Sequence, residues 1–245
     1  MSDPIAAPAT STSESEMSTA ETLTGIFFEP SRTYDALRAR PRFLVAGLII
    51  LAIAGLVTLV LYTRVDMGQY MRERIQQSPN ADQISEQQME MQVRVGKIFG
   101  AAVIPLSVPI IIAGGAGIYL LGVMMFGGSI TYKKALSVWT YSSIPPSVVG
   151  ALIAIVVLFL KSADTIDPEH LVATNPGALM SENSSKVLVA ILGQFDLLRF
   201  YGMFLAALGL RKLGKVSSGS AWGIVIGLWL LGLLLRTLSA AIFGR

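Results

Sequence analysis

The sequence contains no cysteine and only one histidine, and these absences exclude much of metal and nucleophile chemistry. Without cysteine there are no disulfides, no cysteine nucleophile and no cysteine-ligated metal. The one histidine, His170, lies in a loop with Asp164, Asp167 and Glu169, and a single imidazole among solvated acids is not a typical ligand set. We therefore predict a non-enzymatic protein with no catalytic, cofactor-binding or metal-binding residues.

Charged residues are also scarce. They make up 14% of the chain, against 53% hydrophobic residues, whereas soluble domains carry about 25% charged residues. This composition predicts an integral membrane protein whose first partners are membrane lipids. The formal net charge of +3 comes from bases that mostly flank apolar runs, as anchors of membrane helices do, so we predict no nucleic-acid binding.

The N-terminal 24 residues contain no lysine, no arginine and no apolar core. Their serine, threonine, alanine and proline content predicts a disordered polar tail over residues 1–24. Residues 25–42 then combine apolar residues with arginines, which is typical of a segment lying in the membrane interface, although a simple basic flank to the next helix explains it equally well. The apolar face would hold Ile26, Phe27, Phe28, Tyr34 and Leu37, and the arginines are Arg32, Arg38, Arg40 and Arg42.

Long apolar runs occupy about half of the chain. Each is long enough to cross a hydrocarbon core of about 30 Å, and lipid supplies no hydrogen-bond partners, so each run must be a helix. We predict an all-α polytopic membrane protein, a bundle of five transmembrane helices within residues 43–245, preceded by the disordered tail. The predicted spans are 43–63, 98–126, 135–160, 187–210 and 221–243.

Five spans place the two termini on opposite sides of the membrane. The short connections GGSITYKK and RKLGKVSSGS contain bases and no acids, as cytoplasmic loops tend to. The connection over residues 161–186 instead has more acids than bases. We predict a cytoplasmic N-terminus and an external C-terminus.

Three charges interrupt the last two spans: Asp196 and Arg199 in the fourth and Arg236 in the fifth. A short loop joins these spans, so they are expected to be antiparallel neighbours. At about 1.5 Å of rise per residue, Asp196 and Arg236 lie about 22 and 21 Å from the shared end. We predict a structural ion pair that Arg199 can join, in which case exchanging the two charges restores membrane accumulation. The alternative is a substrate or proton pathway.

Prolines and glycines mark two further features of the spans. Pro105 and Pro109 in the second span, and Pro145 and Pro146 in the third, predict helix breaks or kinks, which line binding sites in many transporters but also serve ordinary packing. Gly223-x-x-x-Gly227 in the fifth span offers a small-residue face for helix packing, within the bundle or between copies.

Three stretches carry a family resemblance: GIFFEPSRTYDALRARPRFL, TYKKALSVWTYSSIPPSVVGALIAIV and FDLLRFYGMFLAALGLRKLGKVSSGSAW. In order and spacing the chain resembles the Yip family of Ypt/Rab GTPase-interacting five-span membrane proteins, especially its prokaryotic branch, from Gly25 to the C-terminus. The resemblance implies a cytoplasmic N-terminus, no enzymatic activity and, for a prokaryotic member, residence in the cytoplasmic membrane. It also implies that Asp196 heads its helix.

Two functions of different classes follow. The first is a membrane scaffold or organiser that binds membrane proteins or further copies of itself, in keeping with the trafficking role of eukaryotic relatives. Those relatives contact Rab-type GTPases, and ahead of their spans they carry a run of aspartate, leucine, tyrosine, glycine and proline. This chain lacks that run, which argues against GTPase binding without excluding it. The alternative is a small transporter or channel that uses the proline-broken helices and the cluster of Asp196, Arg199 and Arg236.

Overall fold

A computed structural model describes residues 17–78, 81–168, 171–172, 174–181 and 184–243. Within these ranges the regular structure is helical, with nine α-helices, three short 3-10 turns and no strand. The helices are α1 Thr19–Phe28, α2 Pro30–Ala39, α3 Leu44–Arg64, α4 Met67–Gln76, α5 Glu86–Met125, α6 Tyr132–Leu160, α7 Lys186–Leu192, α8 Leu197–Gly214 and α9 Ser218–Phe243.

Four of these helices, α3, α5, α6 and α9, are long and apolar enough to cross a membrane. Helices α7 and α8 qualify only together, as one span bent by 46°. The chain is therefore an all-helical, multi-pass membrane protein with four spans, or five if the bent pair counts as one. The predicted third and fifth spans begin within three residues of the starts of α6 and α9.

Helix α6 is the centre of the bundle and contacts α8, α3 and α5. Its buried face mixes small and hydroxyl residues with Tyr141, which lets the neighbouring helices approach closely. Trp139 on α6 packs against Tyr119 on α5, with ring centroids 4.9 Å apart. A Cβ at Gly115 would lie 2.4 Å from the Trp139 ring, so this glycine makes room for the indole.

The second and third spans are not broken at their prolines, and the alternative of a kink at these positions stays a prediction. Helix α5 continues through Pro105 and Pro109, and α6 continues through Pro145 and Pro146. Proline costs a helix one backbone hydrogen bond, and packing by adjacent helices makes this tolerable within a membrane. Here α8 supplies that packing, because a Cβ at Gly202 would lie 3.4 Å from Pro146 Cγ.

Helix α5 begins twelve residues before its predicted span, 98–126, because Ser85 and Gln88 form a capping box at its start. Its 40 residues extend about 60 Å, twice the hydrocarbon thickness. The added turns pack against α4, where a Cβ at Gly96 would lie 2.8 Å from Met71 Sδ. Asp66 caps α4, and backbone N–H groups of Gln69 and Gly68 lower the pKa of its carboxyl.

The disordered tail was predicted over residues 1–24, of which residues 1–16 lie outside the described part of the chain. The remaining residues enter helix α1. Helix α1 begins at Thr19 because the Ser18 side chain accepts from the Glu21 backbone N–H, while the Glu21 carboxylate accepts from the Ser18 N–H. Thr22, in the first turns of this helix, is buried and hydrogen-bonded to Tyr141 at 3.0 Å. The sequence contained the capping signal, which the polar composition obscured.

The predicted interfacial segment, 25–42, packs part of its apolar face on the helical bundle, and its position relative to the lipid surface stays a prediction. Helices α1 and α2 form a hairpin that contacts α6 and α8, and Ile26, Tyr34 and Leu37 are fully buried there. Asp35 and Lys212 join α2 to α8 through an ion pair of 2.7 Å. We call this end of the bundle the hairpin end. The opposite end, with α4 and the described residues between α6 and α7, is the loop end.

Gly209 on α8 lies directly against the hairpin. A Cβ there would lie 2.8 Å from the Tyr34 ring and 2.9 Å from Val138 Cγ1, and both of these side chains are fully buried. We expect Gly209→Ala to destabilise the protein by about 1–3 kcal/mol, the usual cost of overpacking. Thermal unfolding in detergent micelles and proteolysis of α1 and α2 measure this effect.

Gly227→Ala is the matched control, because a Cβ at Gly227 meets nothing within 4 Å. If Gly209→Ala unfolds at the wild-type midpoint and keeps its hairpin protected from protease, the close packing of Tyr34 on α8 is contradicted.

Candidate functional site

The break between α7 and α8 is the most irregular point in a membrane-spanning part of the chain. Residues 193–196 separate the two helices, and the chain bends there by 46°. Asp196 is the N-cap of α8, and its Oδ1 accepts a hydrogen bond of 2.9 Å from the Arg199 backbone N–H. One continuous helix over 187–210 was therefore a wrong prediction, whereas the implication that Asp196 heads its helix is confirmed.

Residues from the loop end fill the break. The Thr174 carbonyl accepts a hydrogen bond of 3.2 Å from the Leu197 backbone N–H, and the Thr174 hydroxyl donates to Asp196 Oδ2. Gly177 lies directly against the turn, because a Cβ there would be 2.9 Å from the Gly193 nitrogen. Sequence analysis missed Thr174 and Gly177, since nothing in the sequence around them indicates contact with a distant helix.

Helix α9 supports the break from the other side. Trp229 donates from Nε1 to the Gln194 carbonyl at 3.1 Å, which satisfies a second backbone group of the turn. The Trp229 ring also packs against Phe195 and Phe200, at centroid distances of 5.3 and 5.9 Å. These contacts place the break against the middle of α9 and hold its bend through protein groups.

The charges at the break do not pair as predicted. Within the described ranges, no ion pair joins Asp196 to Arg236, because the Asp196 carboxylate accepts from Thr174 and from the backbone of Arg199. The Arg199 guanidinium donates instead to Gln194 Oε1 at 2.9 Å. Counting helical rise gave a depth but not the direction of each side chain.

A groove adjoins the break on the side of α5 and α6. Its volume is about 280 Å³, and its lining combines aromatic rings, hydroxyls and one guanidinium. Pro146 has no N–H, so the Ser142 carbonyl in this groove lacks its helical donor. The residues that define the groove are Tyr119, Trp139, Ser142, Ser147, Arg199 and Met203.

The remaining predictions concern the loop around His170 and the glycines of α9. In the part of the chain that the structure describes, no three histidine, aspartate or glutamate residues lie together in a metal-binding arrangement, and His170 lies outside that part. On α9, a Cβ at Gly223 would meet only Phe126, at 3.4 Å, and one at Gly227 would meet nothing within 4 Å. The small-residue face therefore makes little contact within the bundle.

Comparison with known proteins identifies relatives over most of the chain. The Yip1 domain matches residues 24–238. The "Membrane protein YknW" of Bacillus subtilis (strain 168) is 27% identical over 206 residues, which cover 82% of this chain and 81% of that protein. No solved structure matches the chain.

The geometry at Asp196 changes the outcome expected from a charge exchange. Because Asp196 caps α8 instead of pairing with Arg236, we expect Asp196→Arg combined with Arg236→Asp to accumulate in membranes no better than Asp196→Arg alone. Asp196→Asn retains a capping oxygen and should exceed Asp196→Ala, which loses about 1 kcal/mol of capping free energy.

Quantification of each variant in the membrane fraction is the measurement. If the double variant accumulates to the wild-type amount, the capping role of Asp196 is contradicted and the predicted ion pair between Asp196 and Arg236 is supported.

Proposed function

This chain belongs to the Yip1-domain family of membrane proteins, and we propose that it acts as a non-enzymatic membrane scaffold that gathers protein partners. The observation that carries the proposal is the unfilled small-residue face of α9, defined by Gly223 and Gly227. Lipid tails and protein helices are equally apolar, so helices associate in membranes mainly where small residues allow close packing. This face suits a further transmembrane helix better than lipid.

The surroundings of this face support an intramembrane contact. Ile226 and Leu230, on adjacent turns of α9, are exposed and apolar, and they can flank a helix seated on the two glycines. Within the described part of the bundle, α9 packs against α8, α7 and α5. A partner helix on the glycine face would add a layer to the bundle without displacing these contacts.

The orientation that we propose places the hairpin end in the cytoplasm of a prokaryote and the loop end outside. The hairpin end carries Lys133, Lys134, Arg211, Lys212 and Lys215 in addition to the arginines of α2, and such concentrations of bases mark the cytoplasmic side. The hairpin also exposes 85% of Phe28, which is available to a soluble partner. GTPase binding at this end stays a prediction.

A small transporter is the second candidate, and the α7–α8 break favours it. Transporters commonly use discontinuous helices beside a polar groove to hold their substrate. In this protein the groove lies beside the break, and Arg199 contributes to both. Flux of small anions into proteoliposomes distinguishes this function from scaffolding, because a scaffold supports no flux.

The scaffold proposal predicts that Gly227→Ile blocks partner binding while the bundle stays folded. The added side chain meets no atom within 4 Å of its Cβ in the monomer but occupies the space that a partner helix needs. With a photo-crosslinker at Ile226 in native membranes, we expect about five- to thirtyfold less captured partner, equivalent to about 1–2 kcal/mol.

Gly55→Ile on α3 is the matched control, because a Cβ at Gly55 also meets nothing within 4 Å. Equal capture by Gly227→Ile and wild type, or equal loss in Gly55→Ile, would contradict the α9 contact. Capture of a different membrane protein supports the organiser, whereas capture of copies of this chain alone contradicts it and favours a self-contained oligomer. A second probe at Phe28 tests the hairpin end for a GTPase.

A further inference from the structure

A second groove lies at the loop end, between α4 and the part of α5 that precedes its apolar run. Its volume is about 670 Å³, and its lining contains three cations and one acid. We call it the basic groove and define it by Arg72 of α4 and by Glu90, Val93, Arg94, Lys97 and Ile98 of α5. Two helices thus bring three positive charges to one concave surface.

No carboxylate is bound to these cations. Within the described ranges, no side-chain hydrogen bond or ion pair involves Arg72, Arg94 or Lys97. Glu90 precedes Arg94 by four residues, a spacing that favours an ion pair on a helix, yet the two form none. The three side chains are exposed and have free donors that face the groove.

Asp66 is the other acid close to the groove. A Cβ at Gly68 would lie 3.1 Å from Asp66 Oδ1 and 3.5 Å from Lys97 Nζ, so the carboxylate is near the ammonium. Asp66 Oδ1 already accepts from two backbone N–H groups in the first turn of α4. Even when Asp66 is counted with Glu90, the three cations exceed the acids, and the groove keeps a net positive charge.

Helix lengths place the basic groove at the boundary of the hydrocarbon. Helix α3 ends at Arg64 after 21 residues, about 31 Å, which matches the thickness of the hydrocarbon core. Gly100 of α5 lies directly against Tyr62, two residues before that end. Since α3 and α5 are antiparallel, the end of α3 is level with Ile98, the inner limit of the groove.

The cations are then at the depth of lipid phosphates. Lys97 and Arg94 lie one and four residues beyond Ile98, about 2 and 6 Å, within the headgroup layer. On the other side of this level, Ile98 and Phe99 are 64% and 62% exposed. The groove therefore combines bases at headgroup depth with apolar side chains that acyl chains can contact.

We propose that the basic groove binds an anionic phospholipid through its headgroup phosphate. The planar fork of an arginine matches two phosphate oxygens, and the lysine ammonium adds a point charge. A headgroup with a net negative charge fits better than a zwitterionic one, because the ammonium of the latter would meet an excess of bases. A lipid fits better than a soluble anion, because Ile98 and Phe99 extend the groove into the hydrocarbon.

A bound lipid would link two helices that otherwise meet over a small area. Helix α4 packs on α5 mainly where Met71 lies against Gly96, and Arg72 is the residue of α4 that lines the groove. A phosphate that accepts from both Arg72 and Arg94 would fix α4 against the membrane boundary. The arrangement of the loop end would then depend on the charge of the surrounding lipid.

The test is lipid retention by the full-length protein. Wild type is purified from nanodiscs that contain equal amounts of phosphatidylglycerol and phosphatidylcholine, and retained lipid is counted by native mass spectrometry. We expect wild type to retain phosphatidylglycerol preferentially. The triple variant Arg72→Gln, Arg94→Gln and Lys97→Gln should retain about tenfold less of it, since the loss of even one charge-assisted hydrogen bond reduces affinity by about this factor.

The matched control is Arg38→Gln, Lys133→Gln and Arg211→Gln, which removes two arginines and one lysine that are exposed at the hairpin end. Its retention should equal that of wild type. Wild-type retention by the groove variant, an equal loss in the control variant, or equal retention of the two lipids by wild type overturns the proposal.

Two further arms test the charge and the source of the anion. Glu90→Gln removes the acid that lines the groove and should raise phosphatidylglycerol retention about twofold, whereas unchanged or reduced retention contradicts the electrostatic attraction. In detergent, phosphatidylglycerol should raise the unfolding midpoint of wild type more than the same concentration of glycerol phosphate does. Equal stabilisation by glycerol phosphate overturns the lipid as the source of the anion.

Discussion

Backbone polar groups inside a bilayer have no water to bond with, and at the α7–α8 break several of them are satisfied by protein groups. Thr174 accepts from the Leu197 N–H, Trp229 donates to the Gln194 carbonyl, and Asp196 caps the new helix. Each partner comes from a different part of the chain. The same few hydrogen bonds consequently determine three features of the fold. These are the position of the loop end, the bend of the fourth span and the packing of α9.

At the hairpin end, contacts between distant parts of the chain also stabilise the structure. Helices α1 and α2 are too short to cross a membrane, and Ile26, Tyr34 and Leu37 are buried against α6 and α8. Tyr34 against Gly209 and Thr22 against Tyr141 give this contact its specificity. The protein therefore has a packed helical hairpin at the hairpin end and a backbone break toward the loop end, joined by the central helix α6.

The long apolar runs made the helical membrane fold predictable, because a span of sufficient length and hydrophobicity has no alternative in lipid. The site was less predictable. Asp196 and Arg199 stood out as charges in an apolar run, but residue counts gave only their depth, and their partner Thr174 lies in an unremarkable loop. Pro145 and Pro146 suggested a break where α6 is continuous, because the effect of proline depends on the packing of α8, which sequence does not display.

Contact between Thr174 and Asp196 holds the loop end against the helix break, and the absence of native cysteine makes this contact directly testable. Thr174→Cys and Asp196→Cys replace the two hydrogen-bonded side chains. Mild oxidation in native membranes should then form an intramolecular disulfide rapidly, whereas the pair Ser184→Cys and Asp196→Cys, with the first cysteine in the same connection, should not form one. Failure of the first pair to crosslink, or equal crosslinking of both pairs, would contradict the filled break.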